Sequence, residues 1–329
     1  MRFGFLNWRR CSQLYFVLFY MVAGFFLYKA VKYAAILGDE AFAYRFPGLE
    51  GFLPISAMVG LKYWLATGNY DPIHPAGLTI LLLAIFSTIL LKRGFCSHIC
   101  PIGTISEYAY KVRTYFLPKK IMLPKVVSYG LKTPKYLLLA FLGFLVFIGM
   151  SVMSIMMFIR SPYNMISEIK MMNFFMEPSL LTLQIIAVLV LLSLVISNFW
   201  CRFLCPYGAL LSLFSIFSSI GIHRDESRCI ACHSCERACP NQLLITDRKK
   251  VTSLDCTVCQ NCVAACPKNA VTIQSGFCEK SISPRLYTGI LLGIFVVGIF
   301  LAMLTGHWQS EELAKYWSVY ASMTDKIFH

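Results

Sequence analysis

Eight cysteines between Cys229 and Pro267 fall into one spacing used twice. The first copy reads Cys229-x2-Cys232-x2-Cys235-x3-Cys239-Pro240 and the second Cys256-x2-Cys259-x2-Cys262-x3-Cys266-Pro267. Three thiolates at such close intervals let one tight loop wrap three corners of an iron–sulfur cube, and the fourth corner comes from the other copy. That rule predicts one [4Fe–4S] cluster on Cys229, Cys232, Cys235 and Cys266, and a second on Cys256, Cys259, Cys262 and Cys239. Zinc sites use paired C-x2-C units, which would strand cysteines here. Cys229-Ile230-Ala231-Cys232-His233 also matches a haem-attachment pattern. Both of its cysteines belong to the longer run, so His233 reads as an ordinary loop residue.

A second repeat uses four further cysteines. Cys96-x3-Cys100-Pro101-x-Gly103 and Cys201-x3-Cys205-Pro206-x-Gly208 share the pattern C-x3-C-P-x-G. Proline favours the first helical position, which puts Cys100 and Cys205 at helix N-caps. The positive helix end is expected to lower their thiol pKa. If the two units pack about a pseudo-twofold axis, four thiolates converge, and three uses compete: a third iron–sulfur cluster, a redox disulfide pair, or a soft-metal site for copper(I). The bland alternative is duplicated packing of small residues. The cluster is the preferred reading.

These motifs need a membrane to position them. Hydrophobic residues make up 57% of the chain and mean hydropathy is +0.64, too high for an ordinary soluble domain. Spans are expected near 11–30, 75–93, 136–158, 180–199 and 281–304. The segments assigned inside (1–10, 92–135, 200–285) carry 22 Lys and Arg, against 6 in those assigned outside (36–74, 160–179, 305–329). By the positive-inside rule the N-terminus and the cysteine-rich insert are cytoplasmic and the C-terminus is outside. The net charge of +14 is thus mostly orientation charge, and nothing supports nucleic-acid binding. Arg9-Arg10 reads as a cytoplasmic anchor.

The expected fold is an integral membrane all-α bundle of about five transmembrane helices with a pseudo-repeat, carrying an inserted α+β two-cluster domain. Residues 1–222 form the membrane region, 223–280 the cytoplasmic insert, 281–304 the fifth span and 305–329 an outer amphipathic tail. Ile55 to Leu65 is too short to span and reads as an interfacial or re-entrant helix, with Tyr63 and Trp64 at headgroup level. In the tail Ser310 can N-cap, and Leu313, Tyr316, Trp317, Tyr320 and Ala321 share an apolar face suited to the outer surface or a partner. His74 and His307, at the outer ends of spans two and five, are candidates to serve a quinone or a partner's haem. Cys11 and Cys278 read as structural.

Two membrane C-x3-C-P motifs followed by a two-cluster module resemble the membrane polyferredoxins of the NapH/NosR/CcoG/YccM type. The likeness rests on Phe95-Cys-Ser-His-Ile-Cys-Pro-Ile-Gly-Thr-Ile-Ser and Phe199-Trp-Cys-Arg-Phe-Leu-Cys-Pro-Tyr-Gly-Ala-Leu-Leu. The chain lacks the extended outer flavin-binding domain of the NosR type and is similar to the YccM type in its spans and its Thr305-Gly306-His307-Trp308 end. The resemblance implies electron transfer at the bacterial cytoplasmic membrane, in a component of a membrane oxidoreductase. It passes electrons between cytoplasmic-side clusters and a quinone pool or an outer cytochrome, within a multi-subunit complex of other redox subunits. The alternative is a copper-reducing or metalloenzyme-maturation factor that uses the membrane cysteines. A third is an anchor whose clusters only staple the fold.

Overall fold

A computed structural model describes residues 8–116, 124–276 and 280–322. Cys278 lies outside them. The chain opens with α1 (Trp8–Leu37). Next comes α2 (Pro54–Thr67), with Pro54 at its first turn and left-handed Gly68 closing it through an N–H to the Trp64 carbonyl. Helix α3 (Pro75–Leu91) is followed by the short α4 (Gly94–His98) and by α5 (Pro101–Phe116). Helix α6 (Lys125–Phe144) ends in a π turn over Leu145–Gly149, and Ser151 caps α7 (Val152–Ile159). Ser161 caps α8 (Pro162–Met165), which leads to α9 (Ser167–Met176) and α10 (Leu180–Val195). A second π turn, Trp200–Leu204, precedes α11 (Pro206–Phe214).

The cysteine-rich stretch holds β1 (Ile220–Arg224), the single turns α12 (Ser234–Ala238) and α13 (Asn261–Ala264), β2 (Val271–Ser275) and β3 (Ser281–Ile282). Among the described residues the strands form one antiparallel sheet in the order β1-β2-β3, with Ile222 opposite Ile273. Helices α14 (Pro284–Leu304) and α15 (Glu311–Ser322) close the described chain.

Among the described residues three helical stretches are long and apolar enough to cross a membrane: Trp8–Ala34, Val126–Gly149 and Pro284–Leu304. A fourth arises if α9 and α10, which meet at a 79° bend, count as one. Helix α3 is apolar but has only 17 residues. The third span differs from expectation. It begins ten residues earlier than Tyr136 and stops at Gly149, because the Ser151 hydroxyl accepts the N–H of Ser154 and starts a new helix. Lys62 Nζ donates to the carbonyls of Val146 and Phe147, both at 3.1 Å, and to that of Met150, which satisfies the broken helix end.

Contacts divide the chain into two units. The first comprises Met1–Val17, Ala84–Leu139 and Ala187–Ile294, and the second Leu18–Leu83, Ala140–Ile186 and Phe295–His329. In the first, α5 reverses the polarity of a soluble helix. Ile102, Ile105, Tyr108, Val112 and Tyr115 are exposed while Thr104, Ser106 and Glu107 are buried, as suits a face turned to lipid. In the second unit, Leu313 and Trp317 of α15 are fully buried in the unit's own apolar core, with Trp317 edge-on to Phe42 at 6.0 Å. The tail's apolar face is therefore largely covered by the chain itself rather than left for a surface or a partner. Tyr63 likewise packs into that core.

Candidate functional site

The two cysteine runs of the first unit fold alike. Ala231 and His233, on either side of Cys232, take left-handed φ angles of 51° and 55°. Val258 and Gln260 do the same around Cys259, at 46° and 64°. Gln242 and Asn269, each three residues past the fourth cysteine of a run, are also left-handed. Side chains seldom adopt this conformation, and repeating it at matched places lets each loop curl around an interior. Cys229, Cys232, Cys235 and Cys266 line one cavity, and Cys239, Cys256, Cys259 and Cys262 line another. Backbone N–H groups point at the sulfurs: Ala270 N lies 3.2 Å from Cys266 Sγ and Leu243 N 3.5 Å from Cys239 Sγ. Glu236 pins the first loop by accepting the N–H groups of Ile245 and Thr246, both at 2.8 Å. Burial alone would raise its carboxyl, yet the Thr246 hydroxyl together with these N–H groups holds it at about 2. His233 is exposed, with Nδ1 3.0 Å from Glu236 Oε2.

The second repeat is built around its glycines. A Cβ on Gly103 would lie 2.2 Å from the Cys96 carbonyl oxygen, and one on Gly208 would lie 3.3 Å from that of Cys201. Each motif thus folds its helix start back onto its own first cysteine. Cys205 caps α11 as expected, with Sγ accepting the Gly208 N–H at 3.2 Å. The Cys100 carbonyl accepts the first bond of α5, from Thr104 N at 3.2 Å. The four thiols converge, and Cys201 feels Cys100, Cys205 and Cys96 together.

That convergence corrects the expected thiol chemistry. Burial and the neighbouring Cys96 push Cys100 up to about 12, although the Gly103 N–H pulls the other way, and burial likewise raises Cys205. A helix terminus cannot outweigh desolvation beside other sulfurs. Among the described residues no three Cys, His, Asp or Glu side chains close around a point as ligands of a single metal ion would. Tetrahedral metal–thiolate bonds of about 2.3 Å require sulfurs about 3.8 Å apart.

Buried charges missed in the sequence surround the site. Arg9, Lys92, Arg93, Lys135 and Arg202 are each at most 5% exposed. Arg93 Nη1 lies 3.2 Å from the Leu254 carbonyl and 3.6 Å from Asp255 Oδ1. Lys132 and Lys135 grip the same carboxylate at 2.6 and 2.8 Å. Burial works against ionisation of Asp255, but Lys135 and Arg93 hold it at about 2. Arg93, Asp255, Cys96, Cys201 and Cys259 line one cavity, so the membrane motifs and the second cluster loop share a wall. Arg9, read as an anchor, donates to Ser97 O and to Asn261 Oδ1, both at 3.1 Å, and ion-pairs with Glu107. The only sequence signal was position: Lys92-Arg93 precede one motif and Arg202 lies inside the other.

The two candidate histidines lie in the second unit. His74 is fully buried, with Nε2 2.7 Å from the Asn164 carbonyl and Nδ1 3.3 Å from Glu50 Oε1. Glu50 also pairs with Arg45, which pairs with Glu168. His307 stands edge-on to Tyr70 at 4.4 Å, with Nδ1 2.8 Å from Thr305 Oγ1. Cys11 is exposed, unlike a packing residue.

A family model described as a 4Fe-4S binding domain matches residues 73–124 and 178–223, and one described as a 4Fe-4S dicluster domain matches 221–267. YccM of Escherichia coli (strain K12), whose name provisionally assigns it electron transport, is 34% identical over 93% of this chain and 88% of its own. The ferredoxin-type protein NapH of the same organism is 27% identical over 59% of this chain and 74% of its own. MauN of Paracoccus denitrificans (strain Pd 1222), a ferredoxin-type protein of methylamine utilization, is 26% identical over 54% and 58%. No solved structure matches.

Proposed function

The chain belongs to the membrane polyferredoxins that include YccM, and from that premise we propose that it is the electron-transfer subunit of a membrane oxidoreductase, holding three [4Fe–4S] clusters. Cys229, Cys232, Cys235 and Cys266 would ligate one, and Cys239, Cys256, Cys259 and Cys262 the second. Cys96, Cys100, Cys201 and Cys205 would ligate the third. Bound there, the clusters supply one-electron exchange. The residues present fit the first two: two cavities are each lined by four cysteines, and backbone N–H groups are aimed at sulfur.

The observation that carries the third site is charge. Arg93 is buried against the membrane thiols, and burial raises Cys100, Cys201 and Cys205. Asp255 is shared with Lys132 and Lys135, so neutral thiols or a disulfide would leave Arg93 only partly compensated, whereas a tetrathiolate cluster is anionic.

The rest of the reading extends this core. A bundle of five spans with a pseudo-repeat would sit in the bacterial cytoplasmic membrane, its ferredoxin domain (223–280) inside and its C-terminus outside. The acceptor or donor would be a quinone or an outer cytochrome in a partner subunit. Fully buried His74 is a less direct contact for either than partly exposed His307. Iron and acid-labile sulfide per chain in anaerobically purified protein, read with EPR, test the proposal. About twelve irons fit three cubes, and about eight leave the membrane cysteines without one. Oxidation of a reduced sample by a quinone analogue then tests the acceptor.

A further inference from the structure

Arg93 is 3% exposed and has two neighbours of opposite kind. On one side are Leu254 and Asp255, immediately before Cys256. On the other are the membrane thiols: the guanidinium is electrostatically engaged with Cys96 and Cys205, and a Cβ on Gly208 would lie 3.0 Å from its Nη2. Its Nε is buried without a hydrogen-bond partner in the cavity that Cys96 and Cys201 also line. Asp255 cannot neutralise it, because Lys132 and Lys135 hold that single carboxylate at closer range. Arg202 is a second buried cation in that cavity, bonded to Ser128 Oγ at 2.8 Å and Gln242 Oε1 at 3.3 Å, with Asp255 and Cys239 as its ionic neighbours.

The Cys229 set has the opposite surroundings. The ionised Glu236 stands directly beside Cys235, and Lys268 lines the same cavity. The cations there, Arg237 and Lys268, are exposed and screened by water. A buried positive charge favours the more negative, reduced state of a neighbouring centre, and a carboxylate disfavours it.

We propose that Arg93 is a positioning residue for charge: it raises the reduction potential of the centre on Cys96, Cys100, Cys201 and Cys205 above that of the centre on Cys229, Cys232, Cys235 and Cys266. The inference rests on the third cluster proposed above. It makes the membrane thiols the preferred resting place for an electron among these two sets. The field comes from this chain's own residues, whatever partner stands outside.

The test is an EPR-monitored dithionite titration of the full chain in detergent, with iron assayed in every sample. Arg93→Gln is expected to lower the midpoint of the membrane centre by a tenfold change in the oxidised-to-reduced ratio, about 59 mV for one electron. The Cys229 centre should move far less, and Arg93→Lys should restore most of the loss. An unchanged midpoint in Arg93→Gln with full iron overturns the proposal, as does an equal shift at both centres. Should Arg93→Gln lose iron, Asp255→Asn decides: removing the carboxylate is expected to raise the membrane midpoint, and no rise overturns the proposal. About eight irons in the native chain fails earlier and differently, since it removes the third cluster before any variant is made.

Discussion

Gly103 packs so tightly on Cys96 that a Cβ would come within 2.2 Å of the cysteine's carbonyl oxygen. The obstacle is backbone, which cannot swing aside. Gly103→Ala is therefore expected to destabilise the protein by about 1–3 kcal/mol and to loosen the membrane thiol set. Gly208→Ala meets the equivalent carbonyl at 3.3 Å and should cost less. Thermal denaturation in detergent, with iron measured per chain, ranks the two. Equal behaviour would contradict the geometry.

Exchange of the fourth ligand between the two runs gives a crossed outcome. Cys266 lines the cavity of Cys229, Cys232 and Cys235, while Cys239 lines that of Cys256, Cys259 and Cys262. Cys266→Ser should perturb the EPR signal of the centre on the first run, and Cys239→Ser that of the second. Signals that follow each cysteine's own run would reverse the assignment.

Arg9 and Glu107 form a buried pair, also touched by Lys111 at 2.7 Å. Removing Arg9 leaves Glu107 with Lys111 but breaks the buried pair, so Arg9→Ala should cost about 1–3 kcal/mol. Chemical denaturation compared with Arg10→Ala, at an exposed neighbour, measures it. A cost below about 1 kcal/mol would mean the pair is no better than a surface bridge.

Acid should destabilise the first unit through two carboxylates. Burial opposes ionisation of Glu107, but Arg9 and Lys111 bring it from 4.5 to about 2, and Asp255 falls from 3.8 to about 2 beside Lys135 and Arg93. Groups with depressed folded pKa values contribute above their unfolded values and lose that contribution as pH drops. Stability should thus be level above about pH 5 and decline toward pH 2, by on the order of 2–3 kcal/mol per group. Melting temperature against pH checks this, and Asp255→Asn should flatten the slope.

Trp317 is fully buried and its Nε1 donates to Glu168 Oε1 at 3.1 Å. Trp317→Ala removes a large core side chain and a hydrogen bond, at about 3–5 kcal/mol. Tyr316→Ala, one residue away and 48% exposed, should be nearly neutral by the same melt.

The cysteine runs and the N-cap role of Cys205 were legible because local spacing dictates them. Distant pairing was not. Arg9 with Asn261 and Lys135 with Asp255 are separated by 252 and 120 residues. A basic residue beside a span reads alike whether it faces water or plugs a buried site. The break after Gly149 was hidden because α7 is even more apolar than α6, so a hydropathy window runs straight through it. Only the Ser151 cap, a short-range signal, marks the stop. The tail's seat was illegible because its apolar face fits lipid, a partner or its own core equally well.

Arg9 stands in the first turn of the first helix, yet it donates to Asn261, the first residue of the turn that holds Cys262. Translation separates the two by most of the polypeptide. Glu107, its ionic companion, emerges from the ribosome long before Asn261 does. The residues that steady this loop are therefore made first, and the loop itself among the last parts of the chain.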